Sequence, residues 1–263
     1  MSRRHVTFSC EGSRLVGTLD THSAPAADEA TTGLLLVTGG NETRSGAWAG
    51  QARFAARIAG HGYPVFRLDR RGVGDSEGHN GGFRSSAPDI AAALGEFRRL
   101  CPHLARIAGF GNCDGASALM LAGGEGLDAL ILSNPWTIEQ EDAALPPDAV
   151  RDHYKRRLMD PASIRRLLTG QVAIGKLVGG LRGALRPAAA PSSLAREMEA
   201  GISGFAGPIT FLVAERDRTG QTFLGDWRKD DPRIRICPGA THSYVEPHAR
   251  EWLANQVIEA LNG

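Results

Sequence analysis

Apolar and polar positions along this chain follow two rhythms. A two-residue alternation marks His5 to Cys10 and Leu15 to Asp20, which flank Glu11 and Gly12 and predict an antiparallel hairpin at one edge of a sheet. Short apolar runs then take over, at Leu34 to Val37, Pro64 to Leu68, Leu104 to Phe110, Ala129 to Ser133 and Ile209 to Ala214. Runs of this length read as buried strands. Arg233 to Cys237 alternates as a last, short strand. Helical spacing occupies Ala47 to Gly62, Ala87 to Leu100, Cys113 to Ala122 and the final amphipathic segment Ala249 to Leu261. Strands that alternate with helices imply a mostly parallel sheet with right-handed crossovers, and ligands gathered at the carboxyl ends of the strands.

Two stretches break the rhythm. Ser23 to Thr32 reads as a polar linker. From Thr137 to Ser193 the segments are helix-prone, show no convincing strand and close on the linker-like Pro187 to Ser193. We read that stretch as a helical cap inserted into an α/β core, so that residues 1–136 and 194–263 are the two parts of the core and 137–193 the lid. Between Arg151 and Arg186 the cap has nine Lys or Arg against two Asp or Glu, an excess of 9 − 2 = 7 positive charges that would attract an anionic substrate. On a helix, Ile174, Leu177, Val178, Leu181 and Leu185 share a face opposite Lys176, Arg182 and Arg186. Such a face packs the cap onto the core, lines an acyl pocket or touches a membrane surface.

Composition narrows the class of protein further. With 263 residues, 42% of them hydrophobic, and a formal net charge of +1, the chain has the make-up of an ordinary globular protein with a large core. It has no basic stripe interleaved with aromatics, so nucleic acid is not an expected partner. No apolar run follows Arg3 and Arg4, which leaves no secretory leader and makes a cytoplasmic location the expectation. Cys10, Cys101, Cys113 and Cys237 lack metal-ligand spacing, so free thiols are expected, with no metal and no cofactor.

The chemistry starts at Gly111-Asn112-Cys113-Asp114-Gly115, a glycine-x-nucleophile-x-glycine elbow between a strand and a helix, with cysteine in the nucleophile's place. A thiol there meets the positive end of the helix dipole, and an imidazole beside it favours the thiolate. The bland alternative is a buried structural cysteine at a glycine-rich turn. If Cys113 is the nucleophile, an acid and a histidine should follow it in that order, each on a loop after a late strand. Asp217 stands just past Ile209 to Ala214, with Glu215 as its rival. His242 follows the last strand on a glycine-containing loop, whereas His248 sits at the start of the final helix, where a surface role is the default. A tetrahedral intermediate also needs preset donors. We assign the Asp114 N–H and, from the Thr38-Gly39-Gly40-Asn41 turn, Gly40, with Asn41 as the neighbouring alternative and as a pocket residue. Trp136 either lines the pocket or is an ordinary buried aromatic.

With these residues in place, the chain resembles the α/β-hydrolase superfamily over nearly its whole length. More narrowly it resembles the exosortase A system-associated hydrolase 1 family, through Gly39 to Gly46, Phe66 to Gly78, Gly111 to Ser117, Ser133 to Trp136 and Glu215 to Phe223. It departs from that pattern at Asn41 and Glu42, in place of Pro and Gln, and at Gly115, where relatives often have alanine. The resemblance implies an α/β-hydrolase fold, Cys113 as nucleophile, Asp217 as acid, His242 as base, and a bacterial setting linked to exopolysaccharide production and protein sorting. The expected activity is hydrolysis of a small-molecule ester or thioester through an acyl-enzyme. A non-catalytic acyl- or glycan-binding module and an acyltransferase are the alternatives. Oligomeric state is not legible. The arginines and glycines from Asp69 to Gly78 are expected to brace turns rather than to react.

Overall fold

The computed structural model of the chain describes residues 1–22, 30–139, 192–228 and 230–263. Most of the expected linker and nearly all of the expected cap, including the apolar stripe from Ile174 to Leu185, lie outside the described residues. The described strands are β1 (Ser2–Cys10), β2 (Ser13–Thr21), β3 (Thr32–Val37), β4 (Val65–Asp69), β5 (Arg106–Asn112), β6 (Ala129–Ser133), β7 (Ile209–Ala214) and β8 (Ile234–Cys237). They form one sheet in the order β1-β2-β4-β3-β5-β6-β7-β8. β1 and β2 are antiparallel, β2 is antiparallel to β4, and every later neighbour is parallel.

The hairpin forms as expected. Glu11 and Gly12 both have positive φ, 46° and 80°, the left-handed pair that a two-residue turn needs to match the strand twist. Farther in, each strand splits its side chains between two cores. Leu35 and Val37, Leu130 and Leu132, and Phe211 and Val213 face one cluster, while Leu34 and Leu36, Ala129 and Ile131, and Leu212 and Ala214 face the other. Burial on both faces is why these strands read as unbroken apolar runs. Each fully buried Leu, Ile or Phe contributes roughly 1.5–3 kcal/mol.

The described helices are α1 (Gly50–Gly60), α2 (Ala87–Leu100), α3 (Asp114–Leu121), α4 (Ser193–Ile202), α5 (Arg218–Asp226) and α6 (Pro247–Asn262). α1 and α6 cover one face of the sheet, and α2 to α5 cover the other. Among the described residues no helix is long and apolar enough to cross a membrane. Sequence periodicity places the first helix at Ala47, yet α1 starts at Gly50, because Trp48 and Ala49 take left-handed backbone conformations at φ 54°. Periodicity gives no sign of α4 or α5. α5 is started by Asp217, whose carboxylate caps it by accepting from the Gly220 N–H at 3.0 Å.

Buried ion pairs tie the antiparallel edge to the parallel sheet. Arg67, fully buried, donates Nε to Asp20 at 2.9 Å, and Asp20 also receives Arg3. Asp69 accepts from Arg44 and from the Asp75 N–H at 3.1 Å, and a Cβ on Gly74 would fall 2.4 Å from its Oδ2. The loop after β4 is therefore braced by its own carboxylate. Between β6 and β7, the Ser192 hydroxyl donates to the Thr137 carbonyl at 3.1 Å and the Leu194 N–H to Glu139 at 2.7 Å, which ties the start of α4 to the chain that follows β6.

Candidate active site

β5 turns into α3 at Cys113, whose φ of 59° and ψ of −130° are unusual for a side-chain-bearing residue. Such a conformation costs on the order of 1–3 kcal/mol and persists only where its surroundings enforce it. Here the Cys113 N–H donates to the Ser133 carbonyl at 3.0 Å, holding the elbow to β6. The flanking glycines leave the space the turn needs. A Cβ on Gly111 would stand 2.5 Å from the Ala116 nitrogen, and one on Gly115 2.5 Å from the Val37 carbonyl oxygen. Cys113 is half-buried, whereas the other three cysteines are buried. Burial pushes the Cys10 and Cys237 thiols up from their ordinary pKa.

His242 and Asp217 meet at the same edge, as chain order suggests. His242 Nδ1 lies 3.0 Å from Asp217 Oδ2, with the carboxylate 7% exposed and the imidazole 38%. The imidazole is pushed up to about 10, first by its hydrogen bond to Asp217, then by its hydrogen bond to Cys113, against a burial effect that lowers it. A cationic ring is thus favoured between a carboxylate and the sulfur. Glu215, the rival acid, instead accepts from the Gly239 N–H at 2.7 Å and so helps hold the loop that carries His242. His248 pairs with the Pro238 carbonyl at 2.9 Å on that loop. Thr241 is bound through its hydroxyl to Glu246 at 2.8 Å, and the buried Tyr244 phenol meets the Ser133 hydroxyl at 3.0 Å.

Two asparagines to which the sequence assigns no role of their own connect these parts. The Asn134 side-chain amide donates to Asn112 Oδ1 at 3.1 Å and stands 3.4 Å from the His242 carbonyl, while its oxygen accepts from the Ala214 N–H at 2.8 Å. Asn134 is fully buried, with φ at 42°, and it links β5, β6, β7 and the histidine loop. Asn112 places its amide 3.5 Å from His242 Nε2. The Ser-Asn-Pro-Trp run marks Asn134 in the sequence, but nothing local reveals its reach.

The turn expected to supply an oxyanion donor packs directly on the elbow. Gly39 packs against the elbow so closely that a Cβ there would lie 2.4 Å from the Asn112 carbonyl oxygen and 3.0 Å from Cys113 Cβ. Gly40, however, does not present a free donor: its N–H donates to Asp114 Oδ1 at 2.5 Å. Its carbonyl accepts from Arg70 Nη2, which also lies 3.4 Å from the same carboxylate oxygen. Sequence reasoning assigns Arg70 to bracing and misses this contact, because the reach of a buried arginine is set by tertiary packing. Asn41 is exposed, and its side-chain oxygen accepts from Asn80 at 2.8 Å. Trp136 is half-buried against the core, its backbone N–H donating to the Ser117 hydroxyl at 2.8 Å and its indole N–H to the Ile138 carbonyl at 2.8 Å.

A cavity of about 580 Å³ lined by Ile202, Phe205, Pro208, Ile209, Trp227 and Arg233 lies at the amino end of β7, on the sheet edge opposite the triad residues, so it has no part in their chemistry.

The overall architecture is shared with solved structures of low sequence identity. An esterase from Pyrococcus furiosus is 16% identical with a TM-score of 0.60, over 99% of this chain and 90% of that one. A lidless serine hydrolase from Xanthomonas campestris is 12% identical with a TM-score of 0.63, over 100% and 94%. The hydrolase GrgF from a Penicillium species is 18% identical with a TM-score of 0.65, over 99% and 98%. No curated protein matches the sequence. The sequence profile of the alpha/beta hydrolase family matches residues 34–256, which takes in every strand from β4 to β8 together with Cys113, Asp217 and His242, and the chain belongs to that family.

Proposed function

We propose that this hydrolase cleaves an ester or thioester by way of a covalent acyl-cysteine, with Cys113 as nucleophile, His242 as base and acid, and Asp217 as the group that orients the imidazole. One observation carries the reading: His242 sits between the Asp217 carboxylate, 3.0 Å away, and the Cys113 sulfur, at a backbone elbow strained at φ 59°. In the resting site the ring is favoured as a cation, which suits a thiolate beside it. The thiolate attacks the acyl carbon, the carbonyl electron pair moves to oxygen, and the Asp114 N–H donates to that oxygen. Collapse breaks the bond to the alcohol or thiol, which leaves with the His242 proton. Acylation removes the negative sulfur, so one of the two influences that keep the ring charged is gone. The neutral imidazole then takes a proton from water, the resulting hydroxide attacks the thioester, and Cys113 departs as thiolate.

The substrate is read as a small acyl compound, and the narrower resemblance to the exosortase A system-associated hydrolases, with a cytoplasmic setting that keeps Cys113 reduced, belongs to the same proposal. Short acyl esters and thioesters offered to wild type, Cys113→Ala and His242→Ala test it. Turnover by wild type alone, with an acyl mass increment on Cys113 in a quenched reaction, supports the reading. Equal turnover by wild type and Cys113→Ala rejects it.

A further inference from the structure

We propose that the Asp114 side chain plugs the oxyanion site, so that a substrate must displace it from Gly40 before the acyl oxygen can be stabilised; this rests on the acyl-cysteine reading above. Of the two neighbouring N–H groups that position in the chain offers to the oxyanion, Gly40 and Asn41, the one at issue is Gly40, whose N–H the Asp114 carboxylate already accepts from at 2.5 Å. A carboxylate on that donor does two things. It uses up the hydrogen bond, and its charge opposes the negative oxygen that develops beside it.

The surroundings divide the site into a fixed part and a movable one. Arg70 is 5% exposed at its side chain, bound to the Ser86 hydroxyl at 3.0 Å and to the Gly40 carbonyl. It holds the Gly40 peptide by the oxygen, whatever happens at the nitrogen. Asp114 is 16% exposed, and its contact to Arg70 is long at 3.4 Å. The carboxylate therefore has a path to water while the guanidinium does not. Arg70 Nε is buried without a hydrogen-bond partner among the described residues, so the arginine is not fully satisfied by this arrangement either. When the carboxylate turns outward, Arg70 still holds the Gly40 peptide by its oxygen, and the N–H is left free to donate.

The consequence is selectivity. An acyl group that binds elsewhere in the pocket can offset the displacement, whereas a very short one cannot. One oxyanion donor is worth on the order of 10²–10³ in kcat, which sets the ceiling for what the plug withholds.

The test compares p-nitrophenyl acetate and p-nitrophenyl octanoate with wild type, Asp114→Ala and Asp114→Asn, each with and without Cys113→Ala. Asp114→Ala is expected to raise kcat/KM for the acetate by at least about tenfold, with a smaller gain for the octanoate. Asp114→Asn keeps the side chain's size while removing its charge, so it should move in the same direction by less and serves if the alanine variant folds poorly. A side chain needed only for structure would lower activity, never raise it. Acetate turnover at or below wild type in both variants, while still requiring Cys113, overturns the plug alone. Turnover that survives Cys113→Ala overturns the acyl-cysteine reading and the plug with it.

Discussion

Gly39 and Gly40 are neighbours in the chain with opposite reasons for being glycine, and substituting each with alanine separates them. A Cβ on Gly39 would lie 2.4 Å from the Asn112 carbonyl oxygen, where carbon and oxygen ordinarily approach to about 3.3 Å. Something must move by about 0.9 Å, and the atoms in the way are backbone of the elbow and Cys113 Cβ, 3.0 Å distant. Overpacking of this kind costs about 1–3 kcal/mol, and a shift near 1 Å at the nucleophile costs on the order of 10²-fold in rate. Gly40 has φ +59° but nothing within 4 Å of where an alanine methyl would stand, so Gly40→Ala meets backbone strain of about 1–2 kcal/mol and no collision. The two variants should thus lose comparable stability, each kcal/mol lowering Tm by roughly 2–4 °C for a chain of this size. Their activities should differ, with kcat/KM of Gly39→Ala at least about tenfold below that of Gly40→Ala. Thermal melts and initial rates on a short acyl ester decide the matter. If Gly39→Ala retains wild-type kcat/KM, the packing of the β3 turn onto the elbow does not position the nucleophile.

Three other outcomes follow from the same geometry. Asp217→Asn keeps an acceptor for the Gly220 N–H but loses the charge that orients and stabilises the imidazolium, so kcat should fall on the order of 10³–10⁴-fold while the melting temperature barely changes; an unchanged kcat would make Asp217 a helix cap only. The His242 pKa is raised in the folded state, from 6.5 to about 10, so its contribution to stability is fully present below 6.5 and is lost as pH rises through 10; urea midpoints should decline across that window, and His242→Asn should flatten the decline. Asp20→Ala leaves the buried Arg67 guanidinium without its carboxylate and should cost about 3–5 kcal/mol in denaturant unfolding, and a loss below about 1 kcal/mol would show that Arg67 finds another partner.

The architecture and the order of the reactive groups are written in the linear chain. Strands buried on both faces must be apolar at every position, so β3, β5, β6 and β7 announce themselves as runs, and the elbow is visible because only small residues fit beside Cys113. Chain order also brings Cys113, Asp217 and His242 to the ends of β5, β7 and β8, since parallel strands carry all their carboxyl ends to one edge. α5 is not legible because its start depends on a side-chain cap, and the turn at Trp48 and Ala49 is not legible because neither residue type favours the left-handed backbone it adopts there. What long and buried polar side chains do is settled by folding in three dimensions. Asn134 spans three strands and the histidine loop, Arg70 grips the Gly40 carbonyl, and Asp114 claims the Gly40 N–H, contacts between positions 30 to more than 100 residues apart. Periodicity reports which face of an element is buried, whereas the partner of a buried hydrogen-bonding group is fixed by which elements the fold sets side by side.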